Sequence, residues 1–370
     1  MTIRGFIEAN AQARPISRSG VFFAFRGEMN YEGMLRIGGG PARHERRAVW
    51  RVESRNAMGG RCLVTGGAGF IGSHLVEALA TDGWSVRVFD DFSTGMRQNL
   101  NLTPNVDVVE GSVTDSAALL RAAQDCSIVF HLAALASVAK SIEDPAASHA
   151  VCATGTLNVL EAARRAGVRR VVYAGSASAY GGASDPAGQC EDTPLAALSP
   201  YGAAKLAGEF YCQAFANAFP LETVRLRFFN VFGPRQRADS PYSGVIALFI
   251  AALTSGRTPT IYGDGLQSRD FVYVSDVVNA LRLAASVPGI SGGVYNVGAG
   301  GSVTLLDLID ALNRILGASV VPKHGPARAG DIRHSRARIE RIRADLGYLP
   351  KVTFEDGLRR TLDWYHESGQ

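Results

Sequence analysis

Lysine is nearly absent from this chain. Of 38 basic side chains in 370 residues only four are lysines, at positions 140, 205, 323 and 351. Long apolar runs are missing too: none approaches the ~18 residues that a helix needs to cross a bilayer, which argues against a membrane partner. Cysteine is scarce. Cys62, Cys126, Cys152, Cys190 and Cys212 are odd in number and form no C-x-x-C pair. That pattern argues against a disulfide framework or a zinc site, and for a cytoplasmic protein with reduced thiols and no metal.

Residues 1–58 contain neither lysine nor aspartate, but ten arginines and five glutamates. With a total of +4, the rest of the chain is then nearly neutral, which is no electrostatic footprint for nucleic acid. The stretch lacks the apolar core of a signal peptide. Its arginine-rich start resembles an organelle transit peptide, but Glu8 and scattered aromatics argue against that. With no clear period and Gly38-Gly39-Gly40-Pro41 inside it, it is expected to be a poorly ordered extension. Met58, just before the first strand, reads as an alternative start.

From residue 61 the pattern is regular. Short apolar strands are expected at Arg61–Thr65, Ser85–Phe89, Val106–Glu110, Ser127–His131, Arg170–Ala174 and Leu221–Arg227. Helical periods lie between most of them, notably Phe70–Ala80, Ala147–Ala166 and Tyr201–Phe219. Strands alternating with helices predict an α/β fold, a doubly wound parallel sheet covered on both faces. After Asn230 the alternation loosens. Helical periods return at Val245–Thr254, Ser275–Ala285, Leu305–Leu316, Ile339–Leu346 and Phe354–His366. The expected organisation is an extension over 1–58, a Rossmann-type domain over 59–230 with an excursion near 180–198, and a smaller C-terminal α/β substrate-binding lobe over 231–370, some of whose segments return to the sheet.

The first strand and first helix are joined by Thr65-Gly66-Gly67-Ala68-Gly69-Phe70-Ile71-Gly72. Gly66, Gly69 and Gly72 let the backbone turn tightly and approach a pyrophosphate. The helix N-terminus behind them offers free N–H groups and the positive end of its dipole. Asp90 ends the second strand, 18 residues beyond Gly72. A carboxylate there accepts ribose hydroxyls and repels a 2′-phosphate, which favours NAD over NADP. One of the four lysines, Lys205, follows Tyr201 by one helical turn, so the two share a face. Its charge favours tyrosinate and is expected to lower the phenol's pKa.

The glycine spacing together with Tyr201-x-x-x-Lys205 resembles the extended short-chain dehydrogenase/reductase family, over about residues 60–368. More narrowly the chain is similar to nucleotide-sugar 4-epimerases of the UDP-glucose 4-epimerase type. The stretches that carry this are TGGAGFIGSHL (65–75), HLAAL (131–135), SPYGAAK (199–205), LRFFNVFGPRQ (226–236), SRDFVYV (268–274) and GDIRHSRA (330–337). The resemblance implies that Tyr201 is the acid or base on the sugar 4-hydroxyl, that Lys205 also binds the nicotinamide ribose, and that Ser176 shares the moving proton. It implies NAD contacts from Gly66, Gly69, Phe70, Ile71, Gly72, Asp90, Asp91, Ser112, Val113, Leu132, Ala133, Ala134 and Phe228. It implies a UDP-sugar held by Ser137, Ser176, Ser178, Asn230, Val245, Arg269, Arg328, Asp331 and Ser335, and a homodimer built on helices 147–166 and 201–219 through residues such as Leu157, Leu160 and Ala163. Two positions depart from the pattern. Cys152 stands where many members have asparagine, and Ser112 where many have aspartate near the adenine.

Related dehydratases and decarboxylases carry acidic residues just after Ser176. Here Ala177 and Ser178 stand there, which favours oxidation and re-reduction at C4 over elimination. Ser335 aligns with the position that lines the sugar pocket. A small residue there resembles members that admit an N-acetyl group at C2, and Ala136-Ser137 resembles the same branch. The expected activity is therefore NAD-dependent 4-epimerisation of UDP-GlcNAc, and of UDP-glucose, through a 4-keto intermediate. The alternatives are a UDP-glucuronate 4-epimerase, with Arg235 or Lys140 facing the C6 carboxylate, another NDP-sugar epimerase or reductase, and a catalytically silent NAD-binding regulator.

Overall fold

The computed structural model describes residues 60–368 apart from 101–105, 183–186, 238–243 and 328–331. The N-terminal extension, Arg328 and Asp331 lie outside the described residues.

Seven strands form one sheet: β1 (Arg61–Thr65), β2 (Ser85–Asp90), β3 (Val106–Glu110), β4 (Cys126–His131), β5 (Arg170–Ser176), β6 (Glu222–Phe228) and a seventh at Val294–Val297. The order across the sheet is Val294–Val297, β6, β5, β4, β1, β2, β3. Every neighbouring pair is parallel. The chain moves outward from β1 to β3, then crosses back to β4 and moves outward the other way. The reversal opens a crevice beyond the carboxyl ends of β1 and β4, where doubly wound sheets bind ligands. The first six strands match their sequence expectation to within two residues. The seventh is only four residues long and becomes a strand through its register with β6, from Val294 opposite Arg225 to Val297 opposite Phe228.

The helices before the crevice are α1 (Phe70–Thr81), α2 (Ser116–Ala123), α3 (Val138–Glu143), α4 (Pro145–His149), α5 (Gly155–Arg165) and α6 (Pro200–Ala218). Those after it are α7 (Val245–Thr254), α8 (Val274–Ser286), α9 (Leu305–Leu316), α10 (Glu340–Leu346) and α11 (Phe354–Ser368). Where one helix was expected over 147–166, α4 and α5 are joined by a π-helical turn, Ala150–Thr154. Such turns take in one extra residue and recur at functional sites.

On one face of the sheet, Leu75 and Leu79 of α1 share a core with Val277 and Leu281 of α8. On the other, Leu119 of α2, Leu160 and Ala163 of α5 and Phe215 of α6 form a second core. Leu160 and Ala163 are therefore buried in the chain's own interior and do not present the subunit contact expected of them. A third core joins Phe232, Ile250 of α7, Leu308 and Leu312 of α9 and Leu362 of α11.

The seat of α6 is polar as well as apolar. Ser199 caps it by accepting from Gly202 N–H, and Pro200 follows in its first turn. The Tyr173 hydroxyl on β5 donates to the Lys205 carbonyl at 3.0 Å. Gly208 permits that approach, since a Cβ there would lie 2.5 Å from the Tyr173 oxygen. One turn beyond Lys205, the Glu209 carboxylate pairs with Arg227 of β6 at 2.8 Å, with both side chains buried. Arg227 also donates to the Tyr180 hydroxyl at 2.9 Å.

Removing one member of a buried pair leaves an uncompensated charge. Glu209→Ala is expected to lower the unfolding free energy by ~3–5 kcal/mol, read from the denaturant midpoint. A loss below ~1 kcal/mol would show that α6 is held by apolar packing alone.

Candidate active site

The turn after β1 is built on backbone contacts that leave no room for side chains. Gly66 has φ +70°, and a Cβ there would sit 2.6 Å from Ala133 N. A Cβ on Gly72 would sit 2.1 Å from Gly66 O. Gly69 precedes α1 without any side-chain cap, so the N–H groups of the first helical turn remain for a ligand. Gly66, Gly69, Phe70, Ile71 and Gly72 line a cavity of ≈ 400 Å³. Asp90, at the end of β2, is on the same wall. Its two oxygens accept from the N–H groups of Ala68 and Phe92, each at 2.9 Å. Burial raises its pKa above the usual carboxylate value, and those two N–H groups pull the other way.

Every residue expected to contact the cofactor lies on the wall of this cavity except Ser112, whose hydroxyl pairs with Thr114 at 3.0 Å. An uncapped helix start, glycines that a Cβ would obstruct and a carboxylate at the tip of β2 fit a dinucleotide. The wall also includes residues that sequence reasoning had not placed there, among them Asn99, Gln236 and Arg237.

Ser176, Tyr201 and Lys205 come together at the carboxyl end of β5 and the first turns of α6, on that same wall. Ser176 is near enough to Tyr201 to favour its phenolate. The Ser178 hydroxyl donates to Ser176 Oγ at 2.9 Å, and the Ser178 N–H reaches the same oxygen at 3.2 Å. Ser178 thus orients Ser176 and is not itself on the wall. Lys205 Nζ lies 4.6 Å from the centre of the Tyr173 ring. Burial lowers the Lys205 pKa. The expected lowering of the Tyr201 pKa is not what the protein alone provides. Burial raises it above the ordinary phenol value, the nearby Cys152 adds to the rise, and the Ser176 hydroxyl opposes them. The phenol therefore holds its proton at neutral pH in the protein alone.

Behind these groups runs a directional chain of hydrogen bonds that the sequence did not disclose. Thr156 donates to the Cys152 carbonyl at 2.7 Å, so its oxygen accepts from His131 Nε2 at 3.0 Å. His131 Nδ1 then accepts from the Thr65 hydroxyl at 2.7 Å, and Thr65 Oγ1 accepts from Ala133 N–H at 3.4 Å. The chain ties the phosphate turn to the π-helical turn through a buried imidazole. Burial, and next the charge of Lys205, push the His131 pKa down to about 3, so the ring stays neutral.

The residues expected to hold substrate are distributed differently. Ser176 and Asn230 are on the wall; Ser137, Val245, Arg269 and Ser335 are not. Ser137 caps α3, its oxygen accepting from Lys140 N–H at 3.2 Å. Val245 opens α7 directly after Gly244, which is on the wall. Arg269 and Ser335 are brought side by side: strand His334–Ser335 pairs in parallel with Ser268–Arg269, Ser335 opposite Arg269. The next strand on that chain, Phe271–Tyr273, pairs with Asn230–Phe232, Phe271 opposite Asn230. Arg269 and Ser335 thus stand on one ladder and Asn230 on another, and the single residue Asp270 links the two along the chain.

A profile of the NAD dependent epimerase/dehydratase family matches residues 62–298. The chain belongs to that family. A UDP-glucose 4-epimerase from Mycolicibacterium smegmatis is 39% identical over 318 residues, covering 84% of this chain and all of the relative. A solved UDP-N-acetylglucosamine 4-epimerase from Methanobrevibacter ruminantium, in complex with UDP-N-acetylmuramic acid, superposes with TM-score 0.79 at 37% identity. It covers 84% of this chain and 99% of the other. A Thermus thermophilus UDP-glucose 4-epimerase in complex with NAD has TM-score 0.76 at 37% identity, covering 83% and 99%. As a member of this NAD-dependent family, the chain takes NAD as its cofactor. Among the described residues no cluster of side chains could hold a metal ion, and no helix is long and apolar enough to cross a membrane.

Proposed function

We propose that this enzyme interconverts UDP-sugars at C4 through a transient 4-keto sugar, with UDP-GlcNAc and UDP-GalNAc as substrates alongside UDP-glucose and UDP-galactose. The observation that carries the reading is the joining of Ser176, Tyr201 and Lys205 to a dinucleotide cradle on one cavity wall. The bound NAD supplies a hydride acceptor and, in its oxidised form, a positive charge. That charge favours the tyrosinate that burial alone disfavours. Tyr201 then takes the proton of the 4-hydroxyl and later returns one to the keto oxygen. Ser176, held by Ser178, shares that proton, and Lys205 keeps the local charge positive. Ala177 and Ser178 offer no carboxylate for removing a C5 proton, which supports epimerisation over elimination.

Arg269 and Asn230 are proposed to face the UDP half, as are Arg328 and Asp331, which lie outside the described residues. A guanidinium suits a diphosphate because it presents planar paired donors. Ser335, opposite Arg269, is proposed to leave space for an acetamide. The comparison with a UDP-N-acetylglucosamine 4-epimerase supports this choice.

A second reading, a hexuronate at the same site, rests on Arg235. It is on the cavity wall, and its buried Nη1 has no hydrogen-bond partner among the described residues, although Nη2 pairs with Glu77 at 2.7 Å. Lys140 is a weaker candidate for a sugar carboxylate: it is off the wall and pairs with Glu143 at 2.7 Å. Assembly as a homodimer in the cytoplasm is proposed as well. Phe210 and Tyr211 of α6 and Val138 and Ile142 of α3 are exposed, and α3 packs against α6. They supply the outward apolar surface that Leu160 and Ala163 do not.

Three outcomes are expected. Light scattering at micromolar concentration should give twice the chain mass; a monomer would remove the assembly proposal. Tyr201→Phe should keep NAD and UDP-sugar binding but lose ~10²–10⁴-fold in turnover, because only the proton transfer is removed. Near-normal turnover would end the assigned role. Ser335→Tyr should lower kcat/KM for UDP-GlcNAc about tenfold to a hundredfold while sparing UDP-glucose, since an unrelieved clash costs ~1–3 kcal/mol. Equal losses on both sugars would show that Ser335 does not face the acetamide.

A further inference from the structure

Asp270 is fully buried and follows Arg269 directly. Its carboxylate receives three backbone N–H groups from two separate segments. Oδ1 accepts from Ala299 at 2.7 Å, and Oδ2 accepts from Gly300 at 2.9 Å and from Ala337 at 3.0 Å. The turn comes this close because position 298 is glycine: a Cβ there would lie 2.8 Å from Asp270 Oδ2. Ala337 is two residues beyond Ser335.

The same segment is gripped from its other edge. Gln189 N–H donates to Arg336 O at 2.8 Å, and Arg338 N–H donates to Gln189 O at 2.9 Å. The side chain adds a third contact, Gln189 Oε1 accepting from Arg336 N–H at 3.0 Å. Backbone N–H groups alternate in direction along an extended segment, so Arg336 and Arg338 face Gln189 while Ala337 faces Asp270. Residues 335–338 are thus fixed between two polar side chains, one from each flanking segment.

A buried carboxylate is costly unless every acceptor is used. Packing alone would be served as well by an apolar side chain. What only a carboxylate does here is accept three N–H groups with two oxygens. An asparagine has one acceptor oxygen, and its NH₂ would face a donor. We propose that Asp270 is a positioning residue for the nucleotide-sugar pocket: together with Gln189 it fixes the register that sets Ser335 opposite Arg269. This rests on the reading above in which those two residues face the substrate.

Ionisation offers a readout that plain structural support would not give. Burial raises the Asp270 pKa to about 6, against the three N–H groups and the charge of Arg336. Protonation turns one acceptor into a donor and loosens the grip on Ala337 or the 299–300 turn. Affinity for UDP-sugar should therefore be full above about pH 6 and fall as pH drops through that value. The charged or titratable groups that act on this carboxylate are Arg336 on the clasped segment and Tyr348, whose hydroxyl donates to Gly298 O at 3.0 Å; Arg269 and His334 are its neighbours along the chain and on the paired segment. Asp276 on α8 faces Tyr348 in turn. His334 Nδ1 meets Ser268 Oγ at 2.9 Å, so His334→Gln serves as the background in which the pH step is measured.

The test is calorimetric binding of UDP-GlcNAc to the NAD-loaded enzyme, with steady-state rates alongside. Asp270→Asn should raise Kd and KM about tenfold or more, leave kcat within about threefold, keep the NAD content, and abolish the pH step. Gln189→Leu should raise Kd by about threefold to tenfold. Equal effects on kcat, NAD content and Kd would overturn the proposal in favour of general structural support. Should D270N fail to fold, an unchanged Kd in Gln189→Leu would overturn it by itself. Wild-type enzyme that binds the UDP-sugar beside an unaltered D270N would overturn the clamp alone. Wild-type enzyme that binds no UDP-sugar would overturn the reading of the pocket and this proposal with it.

Discussion

The contact between α6 and the sheet is the constraint on which the rest depends. Lys205 and Glu209 stand one turn apart on the same helix, and both are withdrawn from water. Glu209 meets Arg227 of β6, the Lys205 carbonyl takes the Tyr173 hydroxyl of β5, and the Lys205 amine lies over the Tyr173 ring. These contacts fix the rotation and depth of α6 against β5. They therefore fix where its first turn holds Tyr201 relative to Ser176, the last residue of β5. A helix seated by apolar side chains alone could slide by fractions of a turn. The buried ion pair removes that freedom, because any other rotation leaves charges unpaired.

The same burial shapes the chemistry. Desolvation raises the phenol's pKa and lowers the amine's, so each group is displaced toward its neutral form. In the proposed mechanism a cationic cofactor reverses the first shift. In this reading the site is quiet when empty and becomes basic when loaded with oxidised cofactor. Neutral His131, locked between Thr65 and Thr156, keeps another charge out of the same interior. The π-helical turn at Cys152 is one end of that chain, which gives the extra residue in the helix a structural role.

Local features were legible in the sequence. The glycines of the β1–α1 turn declare themselves because their spacing lies within eight residues between a strand and a helix. Tyr201 and Lys205 do so because one turn separates them, and six strands because they are short apolar runs bounded by turns. What stayed hidden depends on distant partners. His131 bonds Thr65 and Thr156, 66 and 25 residues away. Val294–Val297 is a strand only beside β6. The direction of the Tyr201 shift follows from burial, which no i, i+4 spacing reports. Leu160 and Ala163 have helical spacing, but spacing alone does not say which face the sheet takes. The bond from Ser178 to Ser176 is likewise invisible to spacing.

The proposed activity is reversible chemistry at C4 of a UDP-sugar, with NAD regenerated at each turnover. The most direct measurement is incubation of the purified enzyme with UDP-GlcNAc, UDP-glucose and UDP-glucuronate separately, with products resolved by anomeric proton NMR. UDP-GlcNAc and UDP-glucose should each relax to a mixture with their C4 epimer, with no net consumption of NAD. Formation of a 4-keto-6-deoxy sugar, loss of carbon dioxide, or no change in any of the three would contradict the proposed activity.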